Sequence, residues 1–228
     1  MTERENILGR VREALKSQAP LPGHAQGHSL SSTSHSSPRA FLPVVGDSFA
    51  ARLDLFSRNA ADLKADFQVV KGDELSEKLR ELRDRESWKK IGIHAGELTN
   101  TACQALGLPV CRTDKQYDVA DLESCDAGIT ECDALVAQTG SVLVTNRSAG
   151  GRALSVLPPH HVVLARREQL LPDLPEGFAL LKQKYGANYP SFISLITGPS
   201  RTGDIERILV LGAHGPKKLT ILLMNGPS

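Results

Sequence analysis

From residue 47 onward the chain alternates between helical and extended hydrophobic patterns, and this alternation restricts the fold more than any other feature. Apolar residues recur at helical spacing over residues 49–63, 75–82 and 97–106, while residues 67–70 and 91–94 form short apolar runs of strand length. Strands that alternate with helices are joined by crossover connections, which produce a largely parallel sheet with helices on both faces. The sequence therefore predicts a three-layer α/β fold.

The second half of the chain supplies further strand candidates. Apolar runs flanked by turn-forming residues lie at residues 127–130, 141–145, 161–165, 192–196 and 219–223. We expect a core sheet of about six or seven strands, which is near the usual size for α/β domains.

The amino-terminal region has a different composition. Thr2 and Glu5 form a Ser/Thr-x-x-Glu capping box before apolar residues at helical spacing, which predicts an amphipathic helix within residues 1–18. Residues 19–43 are rich in Pro, Gly, Ser and His, as is typical of a flexible linker. We expect the α/β domain over residues 44–228. Such a linker would leave the helix free to pack on another subunit, so a homo-oligomer is one possible assembly.

Composition and charge exclude several classes of protein. Hydrophobic residues make up 40% and charged residues 23% of the 228 residues, which is ordinary for a soluble globular protein. The 27 basic and 26 acidic side chains leave a net charge of +1, which gives no overall field to attract nucleic acid. The amino terminus carries charges throughout, and no apolar run is long enough to span a bilayer. We expect a cytoplasmic protein with no membrane insertion.

The four cysteines are too widely spaced to indicate a metal site. Zinc and iron–sulfur sites usually contain a close Cys-x-x-Cys pair, and Cys103, Cys111, Cys125 and Cys132 form none. The sequence predicts reduced, buried thiols and no metal ion bound by this chain.

Polar residues that suit ligand contact are concentrated in residues 196–216. Gly198 and Pro199 make the chain turn after an apolar run, and donors and acids follow: Ser200, Arg201, Thr202, Asp204 and Glu206. Such a turn at the carboxyl end of a strand is typical of a ligand site in α/β sheets. The alternative is a capped helix entry followed by a Gly-Pro turn.

Other turns in the second half offer further candidates. Thr139, Gly140 and Ser141 can present hydroxyls and backbone amides to a carboxylate or phosphate, and Arg152 can bind such a group through two hydrogen bonds. A surface ion pair is the alternative for Arg152. His214, in a glycine-rich turn, is the better candidate for proton transfer. His161, at the start of a strand, is a second candidate, with a structural role as the alternative.

Several of these segments together resemble a known family. They are Thr139-Gly140-Ser141, the run from Arg152 through Pro158 to His161, residues 198–206 and residues 212–216. In these motifs the chain resembles the LutC/YkgG family of bacterial lactate utilization proteins, which contain the LUD domain. Two departures are visible: Gly203 stands where the family usually has alanine, and Cys132 stands where a small alanine precedes Asp133.

The resemblance implies a fold similar to the NagB/RpiA/CoA-transferase-like group and a role in the oxidation of L-lactate to pyruvate. It also implies iron–sulfur partner subunits. Because the sequence shows neither cluster ligands nor a flavin or nicotinamide loop, we expect the redox cofactor to belong to those partners and none to this chain. The named donors would then bind a small carboxylate.

Whether this chain is itself an enzyme stays open at this point. One possibility is an accessory or carboxylate-binding subunit of a lactate-oxidising complex. A second is an independent enzyme of the CoA-transferase or isomerase type, for which Asp133, Asp204 and Glu206 are the acids within the motifs. A third is a ligand-sensing or interaction module whose first helix docks on partners.

Overall fold

The computed structural model describes residues 3–14, 43–203, 209–211 and 215–226. The chain forms two units, residues 1–41 and residues 42–228. In the first unit the structure describes one helix, α1 (Glu3–Ala14), within the segment predicted to be helical. The predicted linker, residues 19–43, lies almost entirely outside the described residues.

The second unit alternates helices and strands in its first half and is richer in strands in its second half. In chain order its elements are α2 (Phe49–Asp62), β1 (Asp66–Val70), α3 (Leu75–Glu86), β2 (Ile91–Ile93), α4 (Glu97–Leu106), β3 (Val110–Arg112), α5 (Val119–Glu123), β4 (Ala127–Glu131), β5 (Ala134–Val136), β6 (Ser141–Thr145), β7 (His160–Arg166), β8 (Leu170–Leu171), α6 (Leu174–Tyr185), β9 (Ile193–Ile196), β10 (Arg201–Gly203), β11 (Leu209–Leu211) and β12 (Lys218–Met224).

Six strands form a parallel sheet in the order β1-β12-β7-β4-β2-β3. The longest pairing joins β12 to β7, in register from Lys218 opposite His160 to Met224 opposite Arg166. Most residues of these two central strands are buried, as expected for a parallel sheet that is covered on both faces. The predicted α/β fold with a largely parallel sheet is confirmed.

The two faces of this sheet are covered by different kinds of structure. Side chains of α3 and α4, such as Leu79 and Leu98, pack on one face. The other face packs against α2, through Phe56, and against a second sheet in the order β8-β5-β6-β9. Two of the predicted strands, β6 and β9, therefore belong to this second, mixed sheet and not to the parallel one. Helix α6 packs on the second sheet through Leu181.

Local sequence explains the helix ends. The hydroxyl of Ser48 accepts a hydrogen bond from the backbone N–H of Ala51 at 3.1 Å and caps α2. Helix α4 ends at Gly107, which has φ of 60°, as predicted from the glycine. Beyond Gly198 the chain forms an antiparallel hairpin of β10 and β11, while the predicted helix entry at Asp204 and Glu206 lies outside the described residues.

The helices of the described segments are short or polar. None of them combines the length and the hydropathy that a crossing of the membrane would require.

Candidate functional site

A crevice of about 340 Å³ opens at the carboxyl-terminal edge of the parallel sheet. It lies where β2 and β4 end side by side. The next strand of this sheet after β2 in the sequence is β3, on one side of the pair, and the next after β4 is β7, on the other side. Ligands of open α/β sheets bind at such a point. The lining residues are His94, Ala95, Gly96, Glu131, Cys132, Arg147, Ser148, Arg166, Gln169, Lys184 and Tyr185.

His94 is buried in the floor of this crevice and links the ends of β2 and β4. Its Nδ1 lies 2.9 Å from the carbonyl oxygen of Ala95, and its Nε2 lies 3.2 Å from the backbone nitrogen of Glu131. A carbonyl only accepts and an amide only donates, so the ring carries its proton on Nδ1. Burial lowers the pKa of His94, which keeps the ring neutral. Both nitrogens are therefore occupied by the backbone.

Glu131 closes one wall of the crevice by capping helix α4. Its Oε1 accepts a hydrogen bond from the backbone N–H of Leu98 at 2.9 Å, at the helix end where the backbone dipole favours a negative charge. A Cβ atom on Gly96 would lie 2.3 Å from this oxygen, so only glycine allows the carboxylate to approach. Arg166 lies on the same wall, with Nη2 2.6 Å from Glu97 Oε2 and Nη1 3.7 Å from Glu131 Oε2.

A buried carboxylate holds two residues of the opposite wall. Asp133 Oδ1 accepts hydrogen bonds from Lys184 Nζ at 2.6 Å and from the Tyr185 hydroxyl at 2.7 Å. Burial by itself would raise the pKa of Asp133, but the interactions with Lys184, Ser148 and Tyr185 lower it below its ordinary value. Its other oxygen, Oδ2, is buried and has no hydrogen-bond partner within the described residues. The Tyr185 hydroxyl also lies 3.1 Å from Thr145 Oγ1.

Arg147 adds a cation that is not neutralised by the residues the structure describes. Its guanidinium carbon lies 5.1 Å from the centre of the Tyr185 ring, and no ion pair joins it to a carboxylate in the described ranges. Three cationic side chains and one carboxylate line the crevice. Because Arg166 and Lys184 are already paired with Glu97, Glu131 and Asp133, Arg147 is the cation left to attract a small anion.

The contacts of His161 differ from those of a proton-transfer group in an open site. The ring is 1% exposed, and its Nε2 lies 2.9 Å from Thr130 Oγ1 on a face of the parallel sheet. Burial lowers the pKa of His161 to about 3, so the ring stays neutral at physiological pH. These contacts favour the structural alternative for His161. The other candidate, His214, lies outside the described residues.

The predicted binding turns at Thr139-Gly140-Ser141 and at Ser200-Arg201 lie together, but at the amino-terminal edge of the parallel sheet. Ser141 Oγ lies 2.8 Å from Thr197 Oγ1, and Arg201 donates a hydrogen bond to the carbonyl of Leu63, just before β1. The backbone N–H of Ser200 bonds to the carbonyl of Pro216, just before β12. The second turn does follow a strand, as predicted. That strand, β9, belongs to the mixed sheet, and this explains why the turn does not reach the crevice.

Gly140 and Thr139 help to close the first of these turns. Gly140 has φ of 64°, and a Cβ atom there would lie 2.8 Å from the Cβ of Asn59. The Thr139 hydroxyl is buried without a partner in the described part of the chain. Thr202 lies in β10, opposite Val210. Asp204 and Glu206 lie outside the described residues.

Arg152 lies at the other end of β9 from Arg201. Its Nη2 donates a hydrogen bond to the carbonyl of Ser191 at 2.9 Å, and its guanidinium stands 5.9 Å from the centre of the Phe192 ring. The structure therefore does not bring Arg152 and Arg201 to one place, although the sequence suggested that their loops converge.

All four cysteines are free thiols, and Cys111, Cys125 and Cys132 are buried. Burial raises the pKa of Cys111 to about 12 and raises that of Cys132 as well, so both stay protonated. Within the described ranges, no three His, Cys, Asp or Glu side chains are grouped closely enough to hold a metal ion.

Sequence inspection missed most of the residues of the crevice. His94 and Glu131 stand at the ends of two predicted strands, so the rule that sites lie at the carboxyl ends of strands would have found them. Arg147, Lys184 and Tyr185 follow no motif of that kind. They reach the crevice because the second sheet folds back over the parallel one.

Comparison with known proteins agrees with this fold. A DUF162 family protein from Deinococcus radiodurans, solved as a crystal structure, superposes with a TM-score of 0.61, covers 80% of this chain and 100% of its own, and is 21% identical. At this level of sequence identity, the similarity shows that the two proteins share a fold.

Sequence relatives carry more specific names. Lactate utilization protein C 1 of Bacillus mycoides is 32% identical over 114 residues, which are 49% of each chain, and lactate utilization protein C of Bacillus subtilis is 31% identical over 124 residues, 52% of each. The chain thus spans about half the length of these curated relatives. The Escherichia coli protein YkgG, described as uncharacterized, is 26% identical over 99% of each chain.

A family match extends much further along the chain than the Bacillus alignments do. It runs from residue 53 to residue 224, which includes both sheets and every residue of the crevice, and its description is the LUD domain. The chain belongs to the LUD domain family.

Proposed function

We propose that this protein takes part in bacterial lactate utilization, as a subunit that binds a small carboxylate beside iron–sulfur partner proteins. The names of the Bacillus relatives support the link to lactate. The guanidinium of Arg147 in the crevice at the carboxyl-terminal edge supports the binding of a small acid. Lactate and pyruvate are the acids that this proposal assigns to the crevice.

The observation that carries the proposal is the position of Arg147. Its guanidinium lines the crevice, stacks near the Tyr185 ring and has no carboxylate partner among the described residues. A guanidinium presents paired N–H donors that match the two oxygens of a carboxylate. Lys184 lies on the same wall, and its side chain is 47% exposed although Asp133 holds one of its donors. A carboxylate bound to Arg147 can therefore accept a second charged hydrogen bond.

In this proposal the chain binds and orients the acid and does not itself accept electrons. Oxidation of lactate to pyruvate removes a pair of electrons and two protons, and the electrons must pass to a redox group such as an iron–sulfur cluster of a partner. His94 is poorly suited to take a proton from the lactate hydroxyl, because both of its nitrogens are hydrogen-bonded to the backbone.

Of the three acids named for the alternative of a CoA-transferase type of enzyme, the structure describes Asp133, while Asp204 and Glu206 lie outside the described residues. Such a reaction needs a carboxylate that can reach the substrate. The side chain of Asp133 is 0% exposed and is engaged by Lys184. Asp133 is therefore poorly placed to act as the nucleophile of such an enzyme.

Calorimetry with matched arginine variants tests the binding site. The protein is titrated with L-lactate and with pyruvate, and the titrations are repeated with Arg147→Gln and with Arg152→Gln. We expect Arg147→Gln to weaken binding about tenfold or more, the usual effect of losing a hydrogen bond to a charged group. Arg152→Gln should bind like the unchanged protein, because Arg152 contacts Ser191 away from the crevice.

Two results would refute the proposed binding site. If the unchanged protein binds neither acid, or if Arg147→Gln binds both normally, the crevice is not their site. The link to lactate is tested separately by reconstitution with the iron–sulfur partners. Reduction of an electron acceptor that depends on L-lactate should fall strongly when this chain is omitted.

A further inference from the structure

Two further crevices lie at the opposite, amino-terminal edge of the parallel sheet. Their volumes are about 140 Å³ and 210 Å³, and they adjoin because Glu86, His160, Lys217 and Lys218 line both. The proposed lactate crevice shares none of these residues. Strand β7 runs between the two edges and separates them by about 20 Å, given the rise of a strand per residue.

The smaller of the two crevices has an excess of positive charge. Lys64, Arg85, Lys217 and Lys218 line it, together with only two carboxylates, those of Asp66 and Glu86. The Arg85 guanidinium lies 3.2 Å from Asp66, and Lys218 Nζ lies 2.5 Å from Glu86. Lys64 and Lys217 form no ion pair with any described residue. Two ammonium groups thus face a small crevice without a counter-ion from the described chain.

The backbone at Lys64 gives an independent indication. Lys64 and Ser87 are the non-glycine residues with positive φ in the described segments, at 65° and 55°, and Lys64 lines the smaller crevice. Lys64 follows the last residue of the α2 cap, a position where glycine is the usual residue because it adopts this conformation without strain. A lysine at a strained position where glycine would relieve the strain suggests that the side chain has a role.

The larger crevice offers an apolar wall. Trp88 and Pro159 line it, and the Trp88 ring meets the His160 ring edge to face, with the centres 5.2 Å apart. His160 Nε2 lies 2.9 Å from Thr220 Oγ1, whereas its Nδ1 is buried with no partner among the described residues. A buried polar atom left in this state is uncommon in folded proteins. The remaining acid, Asp126, is occupied by the backbone N–H groups of Lys89 and Lys90.

We infer that these adjoining crevices form a binding site for a small phosphate monoester, with the phosphoryl group beside Lys64 and Lys217 and the organic group along Trp88 and Pro159. A phosphoryl dianion matches the two uncompensated ammonium groups, and its oxygens accept several charge-assisted hydrogen bonds. A monocarboxylate would neutralise only one of the two. The neighbouring apolar wall distinguishes an ester from free phosphate.

Calorimetry in a buffer that contains no phosphate tests this site. The probes are phenyl phosphate, inorganic phosphate and benzoate. We expect phenyl phosphate to bind more tightly than inorganic phosphate and benzoate to bind weakly. Lys64→Gly and Lys217→Gln should each weaken the binding of phenyl phosphate about fivefold or more, as expected for the loss of one charged contact.

Two controls separate binding from folding. Lys182→Gln removes an exposed lysine on α6 and should change nothing. Lys64→Gly should raise the melting temperature, because glycine relieves the strained backbone, even though it weakens binding. A purely structural role for Lys64 cannot produce that combination.

The outcomes that overturn the inference are distinct. If neither phosphate probe binds, or if both lysine variants bind like the unchanged protein, the crevices are not this site. Equal affinity for the two phosphate probes would contradict the role of the apolar wall and assign the site to free phosphate. None of these results affects lactate binding, which the Arg147→Gln titration measures at the other edge.

Discussion

Lys184 Nζ lies 2.6 Å from the buried Oδ1 of Asp133, and the two residues are 51 positions apart in the sequence. This ion pair fixes the end of α6 against the start of β5. It also explains how an exposed helix can present Lys184 and Tyr185 to the crevice in one defined orientation.

Replacement of Asp133 by asparagine should destabilise the fold. The change removes the negative charge that Lys184 and Tyr185 share, although the amide oxygen can still accept a hydrogen bond. We expect a loss of about 2 kcal/mol, less than for a fully buried pair because Lys184 is partly in water. Chemical denaturation measures this loss in the free energy of unfolding. The control is Asp54→Asn, which breaks an exposed ion pair with Arg58 and should cost less than about 0.5 kcal/mol. Equal losses in the two variants would contradict the structural importance of the buried pair.

The free energy of unfolding should fall as the pH drops below neutrality. Burial lowers the pKa of His160 to about 4 and that of His161 to about 3. In the unfolded chain the pKa of histidine is about 6.5, so between about pH 6.5 and 4 only the unfolded state gains protons at these positions. Stability should decrease by up to about 1.4 kcal/mol per pH unit for each histidine.

The variant His161→Gln isolates one of these histidines. Unfolding curves at pH 7 and at pH 5 give the slope for the unchanged protein and for the variant. We expect a shallower slope in the variant, whatever its stability at pH 7. An unchanged slope would show that His161 titrates in the folded protein much as it does in the unfolded chain.

Replacement of Gly150 by alanine should disturb the floor of the crevice. Gly150 has φ of 63°, and a Cβ atom there would lie 2.1 Å from the Cβ of His94. Gly151, with φ of 113°, has no atom within 4 Å of such a Cβ. We expect Gly151→Ala to cost about 1–3 kcal/mol from backbone strain alone, and Gly150→Ala to cost about 1–3 kcal/mol more from the overlap.

Melting temperatures of the two glycine variants provide the measurement, and lactate titration shows whether the crevice still binds. If the two variants were equally stable, the contact between Gly150 and His94 would not be as close as the structure indicates.

Glu131→Gln should weaken the start of helix α4. The amide keeps the shape of the side chain but loses the charge that the helix end favours, and we expect a loss of about 1 kcal/mol. Glu123→Gln, an exposed change on α5, serves as the control and should be nearly neutral. Denaturant unfolding at pH 7 compares the two, and a neutral Glu131→Gln would argue against this cap.

The parallel sheet could be predicted because its strands and helices carry strong local patterns. Residues 91–94 and 97–106, for example, show a buried strand followed by an amphipathic helix that ends at Gly107, and β2 and α4 match them closely. The short strands β3, β5 and β8 are too brief to show a period. The second sheet therefore could not be separated from the first, and β6 and β9 were expected in the wrong layer.

The crevice was less predictable than the fold, for a physical reason. Arg201 and Ser200 occupy a turn rich in polar residues, which is the local pattern of a binding loop, yet their contacts with Leu63 and Pro216 are made within the fold. Arg147 and Lys184 reach the same crevice through the packing of β6 and α6, so no short segment contains both. Such a site is visible only once the tertiary structure is known.

The position of His94 has a consequence for the kinetics of binding. Its ring is held by the backbone of Ala95 and Glu131, and Gly150 packs against it from the other side. The base of the crevice is thus rigid before any acid arrives, so little free energy is spent on reorganisation and association should follow a single exponential in rapid-mixing experiments.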